Sequence, residues 1–294
     1  MVAPAPALIV KARWLLNAAL LALVAGLALF AWLRPPDRSD PRPPLTAMAA
    51  PTIARVAIER KDREPIVLER GEDRWRMRSP VKARANGFAV ESLLQLASAP
   101  VELTLPAAEP GRYGLDRPDL VVRLDQEEIA FGTMHPLKDQ YYVRHGNAIH
   151  LVPGRYYAQA ASPYSAYIDA RIIEEGRQPA AFKLPGFSLA IKDGGWRRSP
   201  DEKALSSDRI NAFVEEWRHA RALSVERATA RPARERIEIT FREDAAKAET
   251  LTLGVVTRAP ELVLRREDEG LEYHFPEETA KRLLELTATA DERG

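Results

Sequence analysis

The stretch Trp75-Arg76-Met77-Arg78-Ser79-Pro80 returns as Trp196-Arg197-Arg198-Ser199-Pro200, and this recurrence decides the fold. Trp75 and Met77 alternate with arginines, the period of two that turns one strand face to a core and the other to water. The same period runs upstream through Val56 and Ile58 and through Ile66 and Leu68. Pro80 ends this series, and Asn86 to Ala97 reads as a helix whose apolar face includes Phe88, Leu93, Leu94 and Leu96. Further strands are expected at Val101–Leu105, Leu120–Leu124, Glu128–Phe131, Tyr141–Arg144 and Ala148–Val152. Asp125-Gln126-Glu127 and His145-Gly146-Asn147 are the turns that join neighbours into hairpins. Arg155 to Ile173 reads as helical, broken near Pro163.

The order then restarts. Phe187–Ile191 reads as a strand ahead of the second tryptophan strand, and the helix that follows begins at Ser207 or Asp208. In that helix Ile210, Phe213 and Val214 match Val90, Leu93 and Leu94 at an offset of 120. Leu253-Gly254 matches Phe131-Gly132 at 122, Leu262–Arg265 matches Tyr141–Arg144 at 121, and Phe275-Pro276 matches Val152-Pro153 at 123. Offsets that drift so little imply one module of about 120 residues used twice, the size of a domain and not of a solenoid unit. The expected fold is therefore α+β, with residues 52–175 and 176–290 as two tandem, similar modules of antiparallel sheet plus packed helices.

Ahead of the modules, Trp14 to Leu33 is a run of twenty residues without a charge. As a helix it would be about 30 Å long, the thickness of a bilayer's hydrocarbon core. Trp14 and Trp32 lie near its ends, where indoles prefer the interface. It reads as a single transmembrane helix over 14–33 that contacts the lipid bilayer, with 1–13 as a cytoplasmic tail. A core helix and a cleaved signal peptide are the competing readings; Ala47-Met48-Ala49 has the form of a cleavage site but lies far beyond the run. The positive residues on the two sides do not settle orientation. The short preceding tail, with Lys11 and Arg13, and the long following part place the N-terminus in the cytoplasm and the bulk in the periplasm of a bacterial inner membrane. Within the run, Ala18, Ala22 and Gly26 repeat every four residues, a spacing that lets two membrane helices approach. Residues 34–51 carry Pro35, Pro36, Pro41, Pro43, Pro44 and Pro51 and read as an extended spacer.

Composition narrows the function. Of 43 basic and 42 acidic residues, five basic (Lys11, Arg13, Arg34, Arg38, Arg42) and two acidic (Asp37, Asp40) precede Pro44, leaving 38 and 40, a formal charge of −2. Charges of both signs are interspersed without a basic stripe, so no nucleic-acid partner is expected. The chain has no cysteine, which excludes disulfides, thiolate metal sites and a cysteine nucleophile.

At Tyr113-Gly114-Leu115-Asp116-Arg117-Pro118 the chain resembles the bacterial family described as domain of unknown function 4340. The resemblance takes in the tryptophan strand with Pro80, Phe131-Gly132, Tyr141-Tyr142-Val143-Arg144 and Tyr167-Ile168-Asp169-Ala170-Arg171, over Ile53 to Val225. It implies a membrane-anchored envelope protein; similar domains occur beside or fused to ABC-type transport components linked to gliding motility. It assigns no catalytic residues. Only the first module has the motif, the second having Thr229-Ala230-Arg231-Pro232 near that place. Gly114 suits a positive-φ turn, Asp116 can cap it and Pro118 fixes the entry to the next strand, while Tyr113 and Asp116 are also candidates for ligand contact.

Candidate chemistry is sparse. His135, His145 and His150 lie close in sequence but on a turn and a strand, without converging ligands, so no metal or cofactor is expected. Asp125, Glu127 and Glu128 sit at a hairpin tip, where charge is solvated. There is no Gly-x-Ser-x-Gly turn, phosphate-cradling glycine loop or His-Glu-x-x-His. Tyr156, Tyr157, Tyr164 and Tyr167 form an aromatic group that either packs between the modules or belongs to a binding surface. The reading is a non-catalytic accessory or scaffold of an envelope transport system, with a membrane or periplasmic protein partner. A glycan- or peptide-binding sensor is the alternative, and a hydrolase with a non-standard site the third.

Overall fold

A computed structural model describes residues 17–26, 42–202, 204–242 and 249–288. The chain divides into two units, Met1–Pro43 and Pro44–Gly294. In the first, residues 17–26 are helical, and Ala18, Ala22 and Gly26 on that helix are exposed. The rest of the expected 14–33 span lies outside the described residues. No helix among the described residues is long and apolar enough to cross a membrane.

The second unit is α+β and mostly sheet. Its first half runs β1 (Arg55–Arg60), β2 (Ile66–Arg70), β3 (Trp75–Ser79), β4 (Ala83–Arg84), α1 (Gly87–Leu94), β5 (Leu103–Pro106), β6 (Leu120–Leu124), β7 (Glu127–Met134), β8 (Gln140–His145), β9 (Ala148–Pro153) and α2 (Arg155–Ala160). The second half runs β10 (Pro179–Leu184), β11 (Phe187–Lys192), β12 (Gly195–Ser199), α3 (Ser207–His219), β13 (Ser224–Arg227), β14 (Glu235–Phe241), β15 (Thr250–Thr257), β16 (Glu261–Arg266), β17 (Leu271–Pro276) and α4 (Glu277–Leu284). The first sheet has the order β4-β3-β2-β1-β6-β7-β8-β9-β5 and the second β12-β11-β10-β14-β15-β16-β17-β13. Apart from β4 the two orders correspond strand for strand. Both tryptophan strands end at a cis Ser-Pro bond.

Register repeats as well. Leu103 pairs Leu151 and Leu105 pairs Ile149 in the first sheet. At the same places in the second, Ser224 pairs His274 and Glu226 pairs Glu272. One buried cluster runs through both sheets and joins Val56, Ile58, Val143 and Val152 to Phe182, Ile239, Leu264 and Tyr273. The helix residues matched by offset, Val90, Leu93 and Leu94 with Ile210, Phe213 and Val214, are all buried in it.

The faces of the corresponding edges are inverted. On β13 and β17, Val225, Leu271 and Tyr273 point into the shared core, while Ser224, Glu226, Glu272 and His274 face outward. On β5 and β9 the core-side positions hold Thr104 and His150, hydrogen-bonded to each other at 3.1 Å, and the outer positions hold Leu103, Leu105, Ile149 and Leu151.

Each half is also entered in the same way. Leu45 N–H donates to Ala99 O and Thr46 N–H to Ala97 O, both at 2.9 Å, with Pro44 bridged to Pro100. In the second half Ala222 N–H donates to Ala170 O and Ile172 N–H to Ala220 O, with Arg171 bridged to Arg221.

Several elements differ from the sequence-based expectation. The spacer does not run free to Pro51: from Pro44 it is docked, because Leu45 is buried and the Thr46 hydroxyl donates to Ala97 O at 3.0 Å. The helix expected through Ile173 stops at Ala160, with a 3-10 turn at Tyr164–Tyr167. Beyond it Ile168 pairs Ala85 and Arg171 pairs Arg221, so these backbone groups serve as bridges between the halves. Phe88, assigned to the buried face of α1, is 80% exposed. Ser206, one residue earlier than expected, caps α3 by accepting from Arg209 N–H. Pro179–Leu184 lacks strict alternation and was not expected as a strand.

Leu45→Ala is expected to lower unfolding stability by about 2–4 kcal/mol in a denaturant titration, the cost of truncating a buried leucine. A residue of a free spacer would cost nothing.

Candidate functional site

The seam between the halves holds the most unusual chemistry of the described residues. Arg84, on the one strand without a counterpart, is only 3% exposed. Its Nε donates to Glu269 Oε1 at 2.7 Å, and its Nη2 donates to Arg171 O at 2.7 Å and to the Tyr273 hydroxyl at 3.0 Å. Nη1 lies 3.5 Å from Asp169 Oδ2 without a hydrogen bond. Tyr273 in turn donates to Glu269 Oε2 at 2.5 Å. Arg266 donates to Ile172 O at 3.0 Å and holds Asp268 at 2.6 Å. Burial works against the charge of Arg84, but Tyr273, Glu269 and Asp169 outweigh it and hold its pKa above the ordinary arginine value. Burial likewise pushes the Tyr273 hydroxyl up.

Beside this network lies an open groove of about 1050 Å³. The β2–β3 turn (Arg70 to Trp75), the start of α1 (Asn86 to Phe88) and the connecting residues Asp169, Arg171 and Glu175 form its walls, with Arg221 beside Arg171. Its charges are of both signs, and four of the nine charged residues that line it are in ion pairs. Arg171 binds Glu175 at 2.6 Å and Asp169 at 3.4 Å, and Arg74 binds Glu174 at 2.9 Å. Arg70 lies 4.7 Å over the Trp75 ring. The Arg171–Glu175 hydrogen bond holds Arg171 up and Glu175 down in pKa, each favouring the other's charged form. No serine, threonine, cysteine, histidine or lysine lines the groove among the described residues.

The candidate residues do not form one site. Tyr113 packs against Tyr142 with ring centroids 4.7 Å apart and ring planes tilted by 50°, and Leu115 is fully buried with Ala130 and Ile149. Tyr113-Gly114-Leu115 thus lies on the apolar outer face of the first sheet. Gly114 takes a φ of +69°, where a Cβ would meet Thr133 Cγ2 at 2.8 Å. Gly132 is required by the same contact, since its Cβ would fall 2.1 Å from Tyr113 O. Asp116 is exposed, and no side-chain hydrogen bond of it occurs among the described residues. The turn is closed instead by backbone bonds from Gly114 N–H to Gly111 O and from Leu115 N–H to Pro110 O. In the second half Arg265 holds the corresponding loop by donating to Thr229 O and Arg231 O at 3.0 and 2.6 Å. Its counterpart Arg144 reaches Leu115 O at 3.5 Å.

Tyr156 and Tyr167 are buried; Tyr157 and Tyr164 are half-buried against the core. Tyr167 donates to Gln159 O at 2.6 Å, and burial raises its pKa. Tyr157 stacks on Tyr141 at 4.1 Å. Tyr167 belongs to the seam, where its carbonyl accepts from Asn86 N–H, and Tyr156 and Tyr157 to the first half. His145 binds Glu127 at 2.7 Å, and His135 accepts from Leu137 N–H. Burial and then His145 lower the pKa of His150. Asp125, expected to be solvated, accepts from Ala54 and Arg55 N–H at 3.1 and 2.8 Å and so caps β1. No group of three metal-ligating side chains occurs among the described residues.

Sequence reasoning missed Arg84, Glu269 and Tyr273. Arg84 and Glu269 are 185 residues apart, and the one available signal was the Tyr167-Ile168-Asp169-Ala170-Arg171 segment that threads between them.

Two comparisons are silent and one is not. No curated protein and no solved structure matches the chain. The family Domain of unknown function (DUF4340) matches residues 75–238, more than half of the chain. The protein is a member of that family, and the matched span includes both tryptophan strands and, of the seam, Arg84 and the connecting residues 169–172 but not Arg266, Glu269 or Tyr273.

Arg84→Met is expected to cost about 3–5 kcal/mol of stability, the effect of removing one partner of a buried ion pair, because Glu269 loses its closest cation and keeps only Arg266 at 3.5 Å and the Tyr273 hydroxyl. Arg84→Met combined with Glu269→Gln is expected to recover part of it in the same denaturant titration. Burial alone would raise the carboxyls of Asp268 and Glu272, but Arg266 and Arg265 outweigh it and hold both below their ordinary values. Their contribution is complete above the ordinary carboxylate pKa and fades as pH falls through the depressed one, so stability should drop below about pH 4. Glu272→Gln is expected to flatten that acid limb.

Proposed function

We propose that the protein is a non-catalytic accessory or scaffold of an ABC-type envelope transport system, anchored by residues 14–33 in a bacterial inner membrane with the two-sheet unit in the periplasm. In this reading the two halves are a duplicated module, and the partner is a membrane or periplasmic protein. The observation that carries it is the fate of the charged groups. At the seam Arg84, Arg266, Asp268, Glu269 and Tyr273 hold one half to the other, and in the groove Arg171, Asp169 and Glu175 hold one another. What these residues build is a rigid, two-signed surface with Phe88 standing out of it at 80% exposure. Such a surface suits docking, since a few desolvated aromatic and arginine anchors carry most interface energy.

The groove also favours a second reading, a sensor that binds a peptide or glycan between the β2–β3 turn and α1. The two separate by what stabilises the protein: a small ligand raises the unfolding temperature by mass action, whereas a scaffold needs its macromolecular partner.

The full chain is expected to stay in the membrane pellet after alkaline carbonate and to co-purify a membrane partner in mild detergent. Phe88→Asp should weaken that association at least about tenfold, the effect of losing roughly 1.4 kcal/mol, without a change in unfolding temperature. Release by carbonate, or partner recovery indifferent to Phe88, would overturn the reading.

A further inference from the structure

In the first sheet the tryptophan strand β3 is not the edge. β4 pairs with it, Arg84 opposite Arg76 and Ala83 opposite Met77, and Ala85 N–H donates to Trp75 O at 3.1 Å. In the second sheet the corresponding strand β12 is the edge, and it pairs with β11 alone. Among the described residues the chain does not supply the missing strand. Past Pro200 it turns, with Leu205 N–H donating to Glu202 O at 3.0 Å, while the Glu202 carboxylate meets Arg198 at 3.4 Å and Ala288 N–H at 3.3 Å.

The β11–β12 hairpin closes with Lys192 opposite Gly195, through Asp193 and Gly194 at positive φ. A two-residue turn of this kind makes the closing pair a hydrogen-bonded one. Gly195, Arg197 and Ser199 therefore bond to β11, and the N–H and C=O of Trp196 and Arg198 point the other way. No hydrogen bond to these outward groups occurs among the described residues. Side-chain burial shows the same gap: Trp75 and Met77, beside β4, are buried, whereas Trp196 and Arg198 at the same positions are half-buried.

The charges define the occupant. Arg197 and Lys192 are exposed, and neither is in an ion pair among the described residues. In the first half the residue opposite Arg76 is Arg84, tolerated there because Glu269 takes up its charge. No carboxylate stands in that relation to Arg197 among the described residues. A strand laid on β12 therefore needs its own carboxylate opposite Arg197, flanked by small residues as Ala83 and Ala85 flank Arg84. A second copy paired edge to edge about this position would set Arg197 against Arg197, and like charges directly opposite each other are destabilising.

We propose that the β12 edge is a strand-addition site, which takes an acidic, extended segment of a partner protein into the place that β4 fills in the first half. The outward backbone groups supply the affinity and Arg197 the choice of charge. None of residues 195–199 lines the seam groove, so this contact goes beyond the Phe88 surface and does not rest on it.

The probe is a peptide copying residues 81–86 with Arg84→Glu, added to the full chain and read by residue-resolved hydrogen exchange. Without peptide the amides of Trp196 and Arg198 should exchange fast and that of Arg197 slowly. Millimolar peptide should slow the first two at least about tenfold once the site is saturated. The peptide that keeps the arginine should not. Arg197→Glu should reverse this preference. Arg198→Pro, which removes an outward donor and leaves the β11 ladder intact, should leave Trp196 unprotected by either peptide. Slow exchange of Trp196 and Arg198 without peptide would assign the edge to the chain itself or to a second copy and overturn the proposal. Equal protection by the two peptides, or none by either, would overturn it as well.

Discussion

Arg84 is a cation with almost no contact with water, and the relation between the two sheets depends on it. A guanidinium in that position is tolerable only when its donors are met by a carboxylate, a hydroxyl and a carbonyl held in place beforehand. Glu269 and Tyr273 supply the first two from the second sheet, and Arg171 supplies the third from the connecting chain. The connecting chain is therefore more than a linker. Its Ile168 completes a bridge to the first half, and Arg171 one to the second. A segment hydrogen-bonded on both sides fixes the distance and the angle of what it joins.

That arrangement explains where the groove lies. The residues that close the seam on the buried side, Asp169 and Arg171, are the ones that form one wall of the groove on the open side. Position is thus transmitted directly from the buried pair to the exposed one. Phe88, on the helix that starts beside this wall, is displayed by a rigid body.

Local patterns made much of the sheet structure legible. Trp75 and Met77, Val56 and Ile58, and the matched Leu262–Arg265 and Tyr141–Arg144 carry a period of two or a constant spacing, and both are properties of neighbouring residues. Where expectation failed, the deciding partner was distant. Residues past Tyr167 have helical composition but are claimed by bridges to Ala85 and Arg221, and propensity yields to such tertiary pairing. Phe88 looked like a core residue because type and spacing fit, yet the inside of α1 is already filled by Val90, Leu93 and Leu94. Tyr113 and Asp116 were weighed together as a motif. The structure separates a tyrosine that packs on Tyr142 from an aspartate that faces solvent. The seam itself was beyond reach, since nothing in the vicinity of Arg84 announces Glu269.

The inverted faces of the two edges have a consequence for how many such units can be stacked. In the second half the inner side of the terminal pair offers Val225 and Tyr273, a surface that welcomes a preceding neighbour. The same side of the first half offers Thr104 and His150. A further copy seated there would strip water from a hydroxyl and an imidazole and return nothing to them.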